Sequence, residues 1–544
     1  MIRAEIRAKD GWRRRFGAYR EALRSWAAAP LAPANRAATI AAFGLVVALA
    51  LRFWSVRQAR LSAEEAWFWS IGRDIATGRS FPVLGHPVSG TSARHPGAAF
   101  FWLVGITQLA GPSPLAAFAA VSLGGWIALG LLALVVARAF GHAVGLAFLL
   151  LAAVSPWWIV YTNSAWPSYL TPTLCALVLV GLAGIVDGPG VAPRIALPFL
   201  LVLAFQIHLS LLHYWLIALV VLALWRPRLG RVFFIGAALG ALCYVPYLVD
   251  EIRHHFANTI AILHRSQGGP RSGYVLQGLL LDFGAFTTTD VSYLWNEGFW
   301  HPFDLARFWR GPGFGETARF YEGAGLAPVA WAALAASWGL TAGAWIWFFA
   351  TLPRRLRAGG RGTGNMLTVS CLVALAAIPF LYLLSGKGGY PHYVCGVLPL
   401  AFLPPALLLG KLLGHRAWRW AAIAYLALFA VGGIIGLRGY YAVDSRWSVP
   451  QTTAATRFIL DRTQDPNGRR RPFRLEFGFS PSFPNAYALV AQKVYGSLFL
   501  VSGAAPDLFR VEPRPPGPPP PADADTLVLS TIVVRHTPRA LRAP

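Results

Sequence analysis

The feature that most constrains this chain is a series of apolar runs, each close to the length needed to cross a bilayer. They lie near residues 37–54, 115–138, 142–160, 170–186, 195–209, 210–225, 232–248, 327–350, 366–384, 393–410 and 420–437. A helix crosses a ~30 Å hydrocarbon core in roughly 20 mostly apolar residues. The pattern therefore predicts an all-α polytopic membrane bundle of about 11 spans. The stretch 195–225 is too long for one helix and is divided at QIHLS. Composition points the same way: 56% of the 544 residues are hydrophobic and only 13% are charged. That apolar content is spread along the chain, which excludes a soluble domain on a single anchor.

The formal net charge of +25 comes with no nucleic-acid motif. In polytopic proteins Lys and Arg gather in cytoplasmic loops. If the N-terminus is inside, the inner loops are 1–36, Ala139–Gly141, Asp187–Arg194, WRPRLGR, LPRRLRAGGRG and KLLGHRAWR, which takes in every short basic loop. Of the acids, only Glu5, Asp10, Glu21 and Asp187 then fall inside, and the other 19 of 23 fall outside. The first apolar run reads as an uncleaved anchor, and the basic arm before it as a contact for anionic lipid. The cysteines Cys175, Cys243, Cys371 and Cys395 have no metal-like spacing and read as packing residues.

The domain organisation follows from this orientation. Residues 1–36 form a basic cytoplasmic arm and 37–437 the membrane domain. Its outer loops are 55–114 and 249–326, and residues 438–544 form a small α/β extracytoplasmic domain. In that domain FRLEFGFS and TLVLSTIVV read as strands, and 513–521 as a proline-rich linker. In the first outer loop, HPGAAFFWLVGITQLAG reads as an interfacial helix.

The chemistry-bearing residues gather on the outer side. LSAEEAWFWSIGRD sets Glu64 and Glu65 just beyond the first span, beside Trp67, Phe68 and Trp69. Such a pair is either two solvated loop charges or a base in a low-dielectric wall, where a carboxylate pKa rises. SARHPGAAFFW brings Arg94 and His95 to the expected start of the interfacial helix, where N–H groups and a cation together suit a phosphate. SPWWIVYTNSAWPSYLTP offers Asn163 and Trp166, and QIHLS offers His208. SGKGGYPHYVCGVLP offers Lys387, His392 and Tyr393. The SGKGG lacks P-loop spacing, and the DAD at Asp523–Asp525 lies in a proline-rich tail rather than in a metal-binding loop. No residue set is assigned to a metal.

In order and sidedness these motifs resemble the GT-C glycosyltransferases. Within them they are most similar to the branch of protein O-mannosyltransferases, the aminoarabinose lipid A transferase and bacterial polyprenyl-phosphate-sugar transferases. The resemblance covers roughly residues 37–440. It implies an inverting enzyme of a bacterial inner (plasma) membrane. Such an enzyme moves a sugar from a polyprenyl-monophosphate carrier to an envelope glycan, lipid or protein acceptor on the outer face. It also implies that Glu64 is the catalytic acid–base residue with Glu65 as its second member, Glu standing where the family has Asp. The family's basic residue before the loop proline falls on His95, with Arg94 beside it. Arg94, His95 and Lys387 then bind the donor phosphate, and Asn163, Trp166, His208, His392 and Tyr393 line the substrate site. The leaving group is an activated phosphate, so the reaction admits a divalent cation without demanding a cofactor.

Three other functions compete, one of them a structural scaffold whose C-terminal domain binds a partner. A lipid-linked sugar transporter or flippase would put charges at mid-membrane, whereas here they cluster at the outer rim. An O-antigen ligase or polymerase using a diphosphate carrier would use a late arginine-rich loop. The loop 249–326 carries Arg253, Arg265, Arg271, Arg307, Arg310 and Arg319.

Overall fold

The computed structural model describes residues 36–265 apart from 89–91 and 189, residues 280 and 283–290, and residues 327–464 apart from 359, 386–390, 445 and 446. Of the C-terminal region it describes 467, 469, 471–477, 484–495, 501, 505, 507–514, 525–529 and 532–537. Lys387, most of the proline-rich linker and most of the second outer loop, with Arg271, Arg307, Arg310 and Arg319, lie outside the described residues.

Every one of the eleven apolar runs lies on helix. In chain order the helices are α1 (Arg36–Gln58), α2 (Ala63–Ala76), α3 (Ala99–Thr107), α4 (Pro114–Phe140), α5 (His142–Val154), α6 (Pro156–Val160), α7 (Thr171–Val186), α8 (Val191–Ile207), α9 (Leu212–Trp225), α10 (Gly230–Arg253) and α11 (Ala257–Arg265). There follow α12 (Ala327–Ala358), α13 (Thr363–Ser385), α14 (Pro391–Val394), α15 (Leu398–Ala401), α16 (Leu403–Gly414) and α17 (Arg419–Asp444). Among the described residues, 8 helical stretches are long and apolar enough to cross a membrane. They are Ala37–Gln58, Pro114–Phe140, Pro167–Val186, Gly230–Arg253, Pro328–Arg357, Thr363–Leu381, Pro391–Gly414 and Arg419–Tyr441. The chain is a multi-pass membrane protein. The runs at 142–160, 195–209 and 210–225 fall on shorter apolar helices. The expected break at QIHLS is present: α8 stops at Ile207, and His208 is extended (φ −155, ψ 127) before a 3-10 turn. Helix α10 continues to Arg253, past residue 249, the expected start of the second outer loop.

The loops collect at two ends. At one, the Thr363 hydroxyl donates to the Asp187 carboxylate, and the Trp225 indole donates to the Arg361 carbonyl at 2.5 Å. Gly364 lies against Phe140 there as well. Arg138, Arg226, Arg228 and Arg361 are close along the chain to these contacts. At the other end, Leu61 N–H donates to the Trp447 carbonyl at 2.7 Å. There the Asn163 amide donates to the Ser55 hydroxyl at 2.9 Å and to the Tyr441 hydroxyl, while Ser55 and Tyr441 bond each other at 2.5 Å. This buried clasp joins α1, the turn after α6, and α17.

The C-terminal region is a small α/β unit. It comprises α18 (Val449–Thr463), β1 (Phe473–Phe477), α19 (Pro484–Tyr495), β2 (Asp507–Pro513), β3 (Thr526–Val528) and β4 (Ile532–Thr537). The sheet order is β1-β2-β4-β3, with β1 and β2 parallel and the other pairs antiparallel. Its own core holds Ile459, Phe473, Tyr487, Phe509, Val511 and Ile532. TLVLSTIVV, expected as one strand, falls on two strands, β3 and β4, which pair antiparallel. Asp525 of the DAD triplet bonds His536 Nδ1 at 2.9 Å. The unit docks through α19 onto α2, where Lys493 Nζ sits 2.7 Å from Asp74 Oδ1.

Candidate functional site

Helix α2 carries the two glutamates, and its start explains their different surroundings. Ser62 and Glu65 form a capping box, with Ser62 N–H donating to Glu65 Oε2 at 3.1 Å. This satisfies donors that a helix start otherwise leaves open. Glu65 is buried, and its Oε1 lies 3.6 Å from Arg60 Nε. Its carboxylate is thus committed to folding the helix. Glu64 makes no capping bond and is exposed to solvent. Burial by the surrounding protein pushes its carboxyl above the usual range, against the charge of Arg60 and a hydrogen bond from Trp166. One carboxylate builds the helix start and its neighbour is left available.

Helix α2 is held to α3 by the close approach of two glycines. A Cβ on Gly72 would meet Val104 Cγ1 at 2.5 Å, and one on Gly105 would meet Ile75 Cγ2 at 2.9 Å. Gln108 then locks the pair: Trp69 Nε1 donates to its side chain at 2.8 Å, and Arg73 donates to its carbonyl at 3.2 Å. After α2, Gly78 takes a left-handed conformation (φ +70) and turns the chain away.

Arg94 and His95 do not open a helix, contrary to the sequence expectation. Helix α3 begins only at Ala99, because Pro96 and the left-handed Gly97 (φ +97) interpose a turn. The two residues lie instead on one arm of a short hairpin whose other arm is Gly85–Val88. His95 N–H donates to the His86 carbonyl at 2.8 Å, Gly85 N–H to the His95 carbonyl at 2.9 Å, and Val88 N–H to the Ala93 carbonyl at 2.8 Å. Arg94 is exposed, and its backbone is tied on both sides to Asn258 of α11 (2.6 and 2.9 Å).

The hairpin presses onto the end of α8, since a Cβ on Gly97 would meet Gln206 Oε1 at 2.5 Å. His208 is thereby brought to the hairpin. The His86 and His95 rings stack with centroids 3.7 Å apart, and His208 lies 5.2 Å from His95. From there rings continue without a gap: His208 to Tyr393 at 5.6 Å, Tyr393 to His392 at 4.2 Å, and His392 to Trp166 at 5.3 Å. Trp166 reaches Glu64 by its hydrogen bond. One wall of imidazole, phenol and indole therefore joins the histidines to the available carboxylate. Burial and the neighbouring His208 push the His86 imidazole well below its usual pKa.

Seven of the sequence-nominated residues thus share this wall or its hairpin: Glu64, Arg94, His95, Trp166, His208, His392 and Tyr393. Glu65 and Asn163 are instead held in structural contacts, and Lys387 lies outside the described residues. Sequence reading passed over His86. Its signal was the repeated His-Pro dipeptide around a Ser-Gly pair in GHPVSGTSARHP, a spacing that fits a hairpin.

No protein-family model matches the sequence, and no curated protein does either. Solved structures with a similar course of chain include ArnT from Cupriavidus metallidurans bound to undecaprenyl phosphate. The two are 16% identical with a TM-score of 0.49, over 92% of this chain and 99% of that one. Another is the archaeal oligosaccharyltransferase AglB from Archaeoglobus fulgidus, in complex with an inhibitory peptide and a dolichol-phosphate. The two are 12% identical with a TM-score of 0.49, over 86% of this chain and 64% of that one.

Proposed function

We propose that this protein is a membrane glycosyltransferase that takes a sugar from a polyprenyl-monophosphate carrier and passes it, with inversion at the anomeric carbon, to an envelope acceptor. The observation that carries the reading is Glu64. It is a solvent-exposed carboxylate with a raised pKa, just beyond the first span, joined through Trp166 to the same ring-lined wall as the histidines. A base poised above the ordinary carboxylate range is suited to take the proton of an acceptor hydroxyl. The carrier's phosphate would leave toward the hairpin, where Arg94 is an exposed cation, and Lys387 belongs by sequence to the same outer turn as His392. The rings of Trp166 and Tyr393 would pack against the sugar, and the apolar helices would receive the isoprenoid tail. The reading sets this end of the bundle outside the cytoplasm, with the arginine-bearing loops within.

The test is transfer by purified protein from a polyprenyl-phosphate sugar, beside the lipid-linked sugars that accumulate in cells lacking the protein. Charge-assisted contacts to phosphate contribute on the order of 1.5–3 kcal/mol, so Arg94→Ala should raise donor KM by roughly ten- to a hundredfold. If no polyprenyl-phosphate sugar accumulates and none is consumed in vitro, the reading fails. A reporter active only outside the cytoplasm, fused after Ala442, checks the orientation.

A further inference from the structure

We propose that His86, His95 and His208 form a binding site for a divalent transition metal of the zinc class. The three residues come from two elements far apart in sequence, and each offers a ring nitrogen within 4.8 Å of the others. Zinc–imidazole bonds are ~2.0–2.1 Å, which puts ligand nitrogens ~3.3 Å apart in a tetrahedral site. Bringing the nitrogens to that spacing requires the imidazoles to rotate out of their present stack. The backbone is itself fixed: the hairpin bonds set His86 opposite His95, and the Gly97–Gln206 contact sets the hairpin against α8.

Three further observations point to an ion. His86 Nδ1 is buried and has no hydrogen-bond partner among the described residues, a costly arrangement unless something else uses the lone pair. His208 Nδ1 lies 2.7 Å from the Ser210 hydroxyl, which holds the ring in its orientation. Orientation of a ligand imidazole through its second nitrogen is the usual support for a metal site. Behind His86 the rings of Phe68 and Phe100, at 5.9 and 6.4 Å, close the cluster with an apolar wall. Packing alone would be served as well by a third phenyl ring in place of a stack of imidazoles.

The donor set also says what the ion would hold. Imidazole suits zinc and its transition-metal neighbours rather than magnesium or calcium. Imidazole binds a metal as the uncharged ring, and no carboxylate belongs to the cluster. Both charges of the ion would therefore remain uncompensated, and an anionic oxygen is the fitting fourth ligand. Within the transfer reading above, on which this last step rests, that oxygen is the carrier's phosphate.

The experiment uses full-length protein purified with a tag free of histidine, stripped with chelator and titrated with cobalt(II), whose visible absorption reports tetrahedral coordination. About one equivalent should bind, and zinc should displace it. His86→Gln, His95→Gln and His208→Gln should each weaken binding by more than the ~10–100-fold typical of losing an outer-shell partner. His254→Gln, an exposed histidine of the second outer loop, should leave it unchanged. Because a glutamine variant could weaken binding by misfolding, His208→Cys supplies a second readout. It should retain cobalt and add a thiolate-to-cobalt charge-transfer band, which a structural role would not produce. Absence of stoichiometric cobalt binding, or binding indifferent to all three substitutions, overturns the site. Undecaprenyl phosphate is then added to the cobalt form. A changed spectrum supports phosphate as the fourth ligand, and an unchanged one overturns that step while leaving the metal site standing.

Discussion

Neutralising Glu64 and Glu65 one at a time separates chemistry from folding at adjacent positions. Glu64→Gln keeps the shape of the side chain and removes its ability to accept a proton. Loss of a general base costs on the order of 10²–10⁴ in rate, which is about 3–5 kcal/mol of barrier. Stability should move the other way. A carboxyl whose pKa is raised by the fold costs stability once the pH exceeds its unfolded value, and Gln removes that cost. Glu64→Gln should therefore melt no lower than wild type at neutral pH. Glu65→Gln keeps an oxygen for the Ser62 N–H but loses the buried charge facing Arg60 and the helix start. Charged hydrogen bonds of this kind contribute about 1.5–3 kcal/mol, part of which the amide retains, so a loss of about 1–2 kcal/mol is expected. The assay pairs single-turnover transfer with melting followed by tryptophan fluorescence. Retention of most of its turnover by Glu64→Gln would refute the base assignment. A Glu65→Gln enzyme that melts normally yet cannot transfer would refute the division of labour.

Three more outcomes follow from particular contacts. Trp166→Phe removes a hydrogen bond that holds the Glu64 carboxyl down; since the base works deprotonated, the acid limb of the kcat–pH profile should shift to higher pH, and an unmoved limb counts against the contact. Gly72→Val forces a side chain into Val104 and should cost about 1–3 kcal/mol, read as a lower melting temperature together with lost activity as α2 shifts. Lys493→Ala leaves the half-buried Asp74 without its partner, and limited proteolysis should then cut the C-terminal unit away faster than in wild type.

The membrane helices were legible because uniform apolarity over about 20 residues has one common structural outcome. The site was less so, because its pieces meet only through tertiary contacts. Glu64 and Glu65 are indistinguishable in LSAEEAWFW until the register of the helix start gives Glu65 to Ser62. Arg94 and His95 read as a helix start because the apolar run follows at once, but Pro96 and Gly97 make a turn first. Nothing local in SPWWIVYTNSAW separates Trp166, beside the glutamate, from Asn163, which is enclosed between two spanning helices. In the C-terminal unit, β2 was missed because DLFRVEP alternates too few apolar residues to stand out. It is a strand because Phe509 and Val511 face the small core from between two partners.

The clasp of Ser55, Asn163 and Tyr441 bears on how the protein is made. Its members enter the bilayer in order of synthesis, and the last arrives almost 400 residues after the first. Until α17 inserts, the first two have only each other within an apolar medium, where an unmet polar group is expensive. A chain halted before Tyr441 presents that polar seam to lipid, or to whatever chaperone or protease surveys the membrane for unfinished proteins.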